Sequence, residues 1–332
     1  MTSTTVSLAD IKSKTTEALC AHGASQWIAS SVADAVQKAE ANGNLICGLY
    51  YLESYCQQLL TGRVNGTVEP EVSLAKSASV KVDAKFGFAQ PAFARGLTEA
   101  AKTVTTAGTC SLAVCHAHTC TSLGYFTEQI ANAGLIGIGL TNASAVVSPP
   151  GGTKPLLGTN PIAMAVPDKD GGVSFQFDQS TSAIALGKIT MAAAAGESIP
   201  LGWAIDSEGN PTTDPKAALK GSLVSTGGYK GYGFGLMAEI LAAAVTGGVN
   251  SINSSALKAP EGKPHNLGQF YFLLDPEVFS GDDFWSRLNT LSEAVEAQPG
   301  ARLPGSQRKP VQSVTIEESV WNKTLALANY QA

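Results

Sequence analysis

The 332-residue sequence predicts an α/β fold large enough for one big domain or two. Three observations carry that expectation. Short apolar runs of strand length alternate with longer segments whose apolar residues recur at helical spacing, without a steady βαβ rhythm. Glycine is abundant (34 residues) and, with many alanines, suits close packing of elements. Hydrophobic residues make up 44% and charged residues 15%, the balance of a soluble globular chain.

Residues 7–41 read as two helices. Ser7 caps the first and Gly23 stops it; Ser25 caps the second and Asn42-Gly43 ends it. Ile28, Val32, Ala35 and Val36 fall on one face of the second. Residues 78–108 read as a short strand, a turn and a helix, and CSLAVCHA (110–117) as a buried strand. HTCTSLGYFTEQIANAG (118–134) reads as a helix ending at Gly134. GLIGIGL (134–140) and IAMAV (162–166) read as strands joined by a loop rich in Gly, Pro and small polar residues. VSFQFDQSTS (173–182) alternates like a strand before a small-residue helix. GYGFGLMAEILAAAVTGGV (231–249) is the most hydrophobic helix, suited to the core or a subunit contact. A strand at 270–276, an amphipathic helix at 284–298, a basic Pro/Gly-rich loop at 299–310 and a helix at 315–329 close the chain.

The net charge of −5 gives no footprint for nucleic acid or an anionic membrane. The longest apolar run is too short to span a bilayer, and the N-terminus lacks a basic stretch followed by an apolar one. Six scattered cysteines without CxxC pairs suggest free thiols and a cytoplasmic location. No G-x-G-x-x-G follows a strand, so the ordinary dinucleotide fingerprint is absent.

Several long motifs, in chain order, are more specific. TNASAVVSPPGGTKPLLGTNPIAMAVP (141–167), FDQSTSAIALGKI (177–189), GNPTTDPKAAL (209–219) and GGYKGYGFGLMAEILAAAVTGG (227–248) resemble the malate/L-lactate dehydrogenase family that lacks a Rossmann domain. The resemblance covers roughly residues 30–310. That family includes ureidoglycolate, sulfolactate and diketogulonate enzymes and the Δ1-piperideine-2-carboxylate/Δ1-pyrroline-2-carboxylate reductases. It implies a non-Rossmann NAD(P)-binding fold: a mainly antiparallel sheet domain beside a helical domain built from both chain ends, usually as a homodimer. The expected division is 1–115 with 312–332 for the helical, substrate-side unit and 116–311 for the cofactor unit.

The resemblance also exposes a departure. Where the family carries Ser-His-Gly and then Arg, for proton donation and carboxylate binding, this chain has Ile46, Cys47, Gly48 and Tyr51. Cys47 is therefore either a proton donor or a small apolar filler. Arg63 or Arg95 is a candidate for the missing cation.

Among the four histidines, His116 and His118 occupy alternate residues, which on a strand would share a face. They read either as ordinary hydrogen-bonded histidines or, by resemblance, as a turn along the cofactor. His118 is favoured there, with Thr119 and Cys120 opening a helix whose amides hold phosphate. No metal is expected, for a zinc site would need a third ligand such as Cys115 or Cys120. Asp178 reads as a cap for the helix that follows it; the resemblance adds a place in the catalytic site, beside Ser180. Asn142, Ser148, Thr159 and Asn160 offer polar groups to a nicotinamide or ribose, or serve as turn residues. Tyr229 and Lys230 sit in a glycine-rich stretch read as a loop pressed on the cofactor. Arg302 and Arg308 form either a basic surface loop or a site for a 2′-phosphate.

The expected cofactor is NADPH, with NADH as the alternative. Reducing a ketone needs an acid for the forming alkoxide, and a thiol replaces the family's histidine. A cyclic imine can arrive already protonated. The expected reaction is therefore reduction of a small cyclic imine such as Δ1-pyrroline-2-carboxylate or Δ1-piperideine-2-carboxylate. The alternatives are a 2-hydroxy-acid dehydrogenase with its acid relocated to His116 or His118, and a cofactor-binding homologue with little catalysis.

Overall fold

The computed structural model describes residues 2–306 and 310–331. Strand β1 (Ser3–Ser7) leads into α1 (Leu8–Ala21), capped by the Ser7 hydroxyl, which accepts the Asp10 amide at 3.0 Å. In α2 (Gln26–Ala41), Ile28, Val32, Ala35, Val36 and Ala39 are buried on one stripe. Two single 3-10 turns (Leu45–Cys47 and Leu49–Tyr51) precede α3 (Leu52–Leu60). There follow β2 (Glu71–Lys76), β3 (Ser79–Asp83), α4 (Ala89–Ala107), β4 (Thr109–Ala117), α5 (Gly124–Asn132), β5 (Ile136–Thr141), β6 (Ile162–Pro167) and β7 (Val173–Gln179). The remainder is α6 (Leu186–Ala195), β8 (Ala204–Ile205), α7 (Pro215–Lys220), β9 (Ser222–Leu223), α8 (Tyr229–Glu239), β10 (Leu267–Leu274), α9 (Asp283–Glu296), β11 (Ser313–Glu317) and α10 (Glu318–Ala328).

The main sheet runs β2-β3-β4-β10-β5-β6-β7, and every neighbouring pair is antiparallel except β3 with β4. It is the mainly antiparallel sheet that the family resemblance implied. Phe93, Phe126, Leu112 and Tyr271 anchor the core between the sheet and helices α4 and α5. A second core gathers α1, α2 and α3 with Tyr51, Val64 and Phe88. Both chain ends meet there, because β1 pairs antiparallel with β11 and Ile316 is buried among the helices. The sheet takes in residues 71–117, so the expected boundary after residue 115 falls inside β4.

Three expected elements differ. The last helix starts at residue 318, because 313–317 are drawn into the ladder with β1. The helix expected from residue 118 begins only at Gly124, so Thr119 and Cys120 lie in the loop before it and do not open a helix. The helix expected at 231–249 starts at Tyr229, so Lys230 is in a helical first turn rather than a loop; after Glu239 it widens into a π-helical segment, Ile240–Val245.

Candidate active site

Cys47 ends the first 3-10 turn, and buried Glu40 of α2 holds it in place. The Glu40 carboxylate accepts the Leu49 amide at 2.7 Å, and a Cβ on Gly48 would lie 2.1 Å from that same oxygen. A side chain at 48 would displace the Glu40 carboxylate from the Leu49 amide. The Cys47 thiol is half-buried, and desolvation, followed by the negative charge of Asp178, pushes its pKa up to about 12. Asn44 and Lys258 act in the opposite direction. At neutral pH the group is a neutral thiol and neither a nucleophile nor an effective acid.

Asp178 lies on β7 and reaches across to α5. Its carboxylate accepts the Gly124 amide at 2.7 Å and the Ser122 hydroxyl at 3.2 Å. It therefore caps the preceding helix α5, not the helix that follows it in sequence. A Cβ at Gly124 would stand 2.9 Å from the Asp178 Cβ, so glycine is needed for the approach. That amide is already used, which removes it as a phosphate donor. Buried Cys120 completes the cluster: its thiol is raised first by burial, then by the negative charge of Asp178.

The His-Ala-His segment runs off the end of β4 without strand alternation. His116 has φ +50°, which breaks the alternation and sends the two imidazoles to different partners rather than to one face. His116 Nδ1 lies 2.9 Å from Asp83 Oδ1 and is half-buried. His118 is buried, 2.5 Å from Gln58 Oε1 through Nε2, and stacked on His265 with ring centroids 3.9 Å apart. Gln58 Nε2 donates to the carbonyls of Leu257 and Ala259, each at 2.8 Å, so its Oε1 must accept from His118. Burial lowers the pKa of both histidines, His265 to about 3, and at His118 the His265 ring adds to the lowering. Both are neutral at pH 7. Thr119 donates its amide to His265 Nδ1 at 3.1 Å.

Other expected residues are tied into the fold. Asn142 donates to the Val249 carbonyl at 2.7 Å, and Asn160 (φ +34°) donates to Glu239 at 2.8 Å. The Thr159 carbonyl and the Ser180 hydroxyl bond within the Ser180–Ser182 turn. Ser148 accepts the Ser222 hydroxyl. Tyr229 and Lys230 are exposed on the first turn of α8. Neither arginine offered as a spare cation is free. Arg63 is buried and spends its guanidinium on the carbonyls of Ala256, Ala259 and Lys263 and on the Ser255 hydroxyl. Arg95 pairs with Glu69 at 2.7 Å over the Trp27 ring. Among the described residues the donors Asp83, Cys115 and His116 gather within 4.8 Å of one another. They already satisfy one another and the Val82 carbonyl. Arg302 is exposed, and Arg308 lies outside the described residues.

A cleft leads away from Asp178. A cavity of about 100 Å³ is lined by Asp178, Ser122, Gly124, Asn44, Lys38 and Asn42. Lys38 and Asn42 also line a larger one of about 450 Å³, which reaches Gln176, Gly305 and Pro310. The Gln176 amide donates to the Pro304 carbonyl at 3.1 Å, and a Cβ on Gly305 would sit 3.0 Å from the Gln176 carbonyl oxygen. The loop that carries Arg302 is thereby seated at the far end of the cleft.

The residues that sequence reasoning passed over are Glu40, Gln58 and His265. His265 was visible as one of only four histidines.

The sequence profile described as malate/L-lactate dehydrogenase matches residues 6–323. A (2R)-3-sulfolactate dehydrogenase (NADP(+)) of Chromohalobacter salexigens is 37% identical over 328 residues, covering 97% of this chain and 98% of that protein. A Delta(1)-pyrroline-2-carboxylate/Delta(1)-piperideine-2-carboxylate reductase of Pseudomonas putida is 37% identical over 300 residues, covering 90% of this chain and 88% of that protein. The crystal structure of delta1-piperideine-2-carboxylate reductase from Pseudomonas syringae superposes with a TM-score of 0.91 at 32% identity, covering 98% and 99% of the two chains. With the motifs, the antiparallel sheet and a match over nearly its whole length, this chain belongs to the malate/L-lactate dehydrogenase family of oxidoreductases.

Proposed function

We propose that the protein is an NADP(H)-dependent reductase of a small cyclic imine bearing a carboxylate, of the Δ1-pyrroline-2-carboxylate or Δ1-piperideine-2-carboxylate type. One observation carries this reading. Neither the Cys47 thiol nor the His118–His265 pair is an acid that titrates near neutrality. The Cys47 thiol is raised to about 12, and His118 and His265 are buried and neutral. A ketone would need such an acid for its alkoxide. A cyclic iminium brings its proton with it, and a fixed carboxylate suits it electrostatically.

The nicotinamide, when bound, supplies the hydride that the imine carbon takes up. Asp178, held by the Gly124 amide and Ser122, keeps a negative charge where the protonated nitrogen would lie. The half-buried Cys47 fills space and excludes water. His118 and Gln58 form the wall behind the substrate, with Tyr55 packed against His118. The loop bearing Arg302 and Arg308 is assigned to the 2′-phosphate. Asn142, Thr159, Asn160, Ser180, Tyr229 and Lys230 remain proposed cofactor contacts. The division into a helical unit, which carries Cys47, and a cofactor unit, which carries Asp178, is kept in the same functional sense.

A substrate panel tests the reading. With NADPH, turnover of pyrroline-2-carboxylate and piperideine-2-carboxylate is expected to exceed that of pyruvate and oxaloacetate by at least tenfold, and NADPH to outperform NADH. A second reading, a 2-hydroxy-acid dehydrogenase, is favoured by the sulfolactate relative. It would need a donor, and His116 is the member of the pair that keeps contact with solvent. Faster turnover of 3-sulfolactate or the oxo acids would establish it, and binding of NADPH without any turnover would point to a non-catalytic homologue.

The assembly is assigned as a homodimer. Phe234, Leu236, Met237, Ile240 and Val245 leave an apolar, exposed surface on α8 and its π-helical extension. Light scattering at micromolar concentration is expected to give twice the 34.2 kDa chain mass, and a monomer would contradict the assignment. Among the described residues no helix is long and apolar enough to cross a membrane. Six free cysteines, two of them partly exposed, support a reducing cytoplasmic setting.

A further inference from the structure

A second group of donors stands at the ends of β3 and β4. Asp83 and Cys115 are direct partners in the parallel ladder of those strands, and His116 follows Cys115. Asp83 Oδ1 lies 2.9 Å from His116 Nδ1, and the Cys115 sulfur lies 3.6 Å from the same nitrogen. Among the described residues, no other three His, Cys, Asp or Glu side chains bring ligand atoms within 4.8 Å of one another. The backbone is bent to make this meeting. Lys85 (φ +49°), Phe86 (φ +62°) and His116 (φ +50°) all sit in the left-handed region, which residues with a Cβ enter only under strain. Three bonds lock the bend. The Lys85 amide donates to Asp83 Oδ1 at 2.8 Å, the Phe86 amide to the His116 carbonyl at 2.8 Å, and the His118 amide to the Gly87 carbonyl at 2.9 Å. The Cys115 thiol is buried, whereas the His116 and Asp83 side chains are 32% and 34% exposed, which leaves a way in from solvent.

We propose that Asp83, Cys115 and His116 form a zinc site that clips the end of β3 to the end of β4. The site shares no residue with the Cys47–Asp178 cluster, and it does not depend on which substrate is reduced. The donor set decides the ion. One thiolate, one imidazole and one carboxylate suit zinc, whereas magnesium and calcium take oxygen ligands. The spacing agrees. A tetrahedral zinc ion with sulfur at about 2.3 Å and nitrogen at about 2.05 Å holds those two donors about 3.5 Å apart, close to the 3.6 Å between Cys115 and His116. The imidazole and carboxylate would separate by about 0.4 Å from their 2.9 Å hydrogen bond. Without the ion, two protons hold the group together: the thiol donates to the Val82 carbonyl at 3.5 Å, and His116 Nδ1 bonds Asp83. The cation takes their place. The thiol releases its proton to solvent, and the imidazole carries its proton on Nε2, which leaves Nδ1 free to bind. The fourth position faces solvent and takes a water. The chain alone hides this site, because Asp83 stands 33 residues before His116 and meets it only through the β3–β4 ladder. A loaded site also occupies His116, which is incompatible with that residue acting as a proton donor.

The experiment titrates reduced, metal-free protein with Zn2+ against a chromogenic chelator, and with Co2+ as a spectroscopic probe. The wild type is expected to take up one Zn2+ per chain with micromolar or tighter affinity. Its cobalt form should show the absorption of a tetrahedral, thiolate-bound ion. Asp83→Ala, Cys115→Ser and His116→Gln are each expected to weaken zinc at least about 100-fold, the upper end of what a metal site loses with a partner that only orients a ligand. In Cys115→Ser the thiolate band should vanish. Zinc should raise the Tm of the wild type and leave that of the three variants unchanged. Asp83 and His116 reach solvent, so their variants test the site even if Cys115→Ser does not fold. Absence of uptake by the wild type, or wild-type affinity in any folded variant, would overturn the proposal. Uptake that survives all three substitutions would place the zinc on the partly exposed Cys20 or Cys47 instead.

Discussion

An Asp178→Asn enzyme is expected to lose about 10²-fold or more in kcat on a cyclic imine while keeping its fold. The amide oxygen can still accept from the Gly124 amide and Ser122, so the cap of α5 survives. What disappears is the negative charge. Two unit charges 4 Å apart interact by about 4 kcal/mol at an effective dielectric of 20, and a 10²-fold rate loss corresponds to about 2.7 kcal/mol. The charge effect is thus large enough to account for the loss. Cys47→Ala, which removes a thiol whose pKa is pushed to about 12, is expected to cost less than tenfold. Stopped-flow single turnover on the two variants separates chemistry from product release. If Cys47→Ala is inactive and Asp178→Asn is tolerated, the thiol is the donor and the roles are inverted. If only a His118 variant is inactive, the relocated-acid dehydrogenase becomes the better reading.

Elements with local signals were legible in the sequence. Ser7 and the stripe Ile28, Val32, Ala35 and Val36 announced α1 and α2 because caps and helical spacing are properties of neighbouring residues. β4, β5 and β6 were visible as short apolar runs between glycines. β1 was not, since STTVS becomes a strand only by pairing with 313–317, at the other end of the chain. The site shows the same division. Cys47 and Asp178 could be named because motifs place them. Asp178 capping α5 could not, because its partner Gly124 is 54 residues away. Strand alternation placed His116 and His118 together, and one residue at φ +50° undid it. Gln58 depends on a loop about 200 residues from α3, and nothing near it records that contact.

Acid should destabilise this protein through its stacked histidines. His118 and His265 are buried, neutral and 3.9 Å apart, and folding lowers both pKa values. In the unfolded chain each takes up a proton below about pH 6.5. Between that value and the folded pKa, about 3 for His265, the unfolded state binds more protons. Stability therefore falls as pH falls through this window, by up to about 1.4 kcal/mol per pH unit for each histidine, and is unaffected by this pair above pH 7. From pH 7 to pH 5 the pair should cost on the order of 4 kcal/mol, a large share of a typical folding free energy. Buried Glu40 has the opposite sign, since its raised pKa favours the folded state on acidification. Comparison with a variant cancels it. His265→Asn keeps an acceptor for the Thr119 amide and removes one titrating group. Urea unfolding at pH 7 and pH 5 should show the wild type losing about 2 kcal/mol more than this variant over that range. Equal losses in the two proteins would mean that His265 is not held neutral in the folded state.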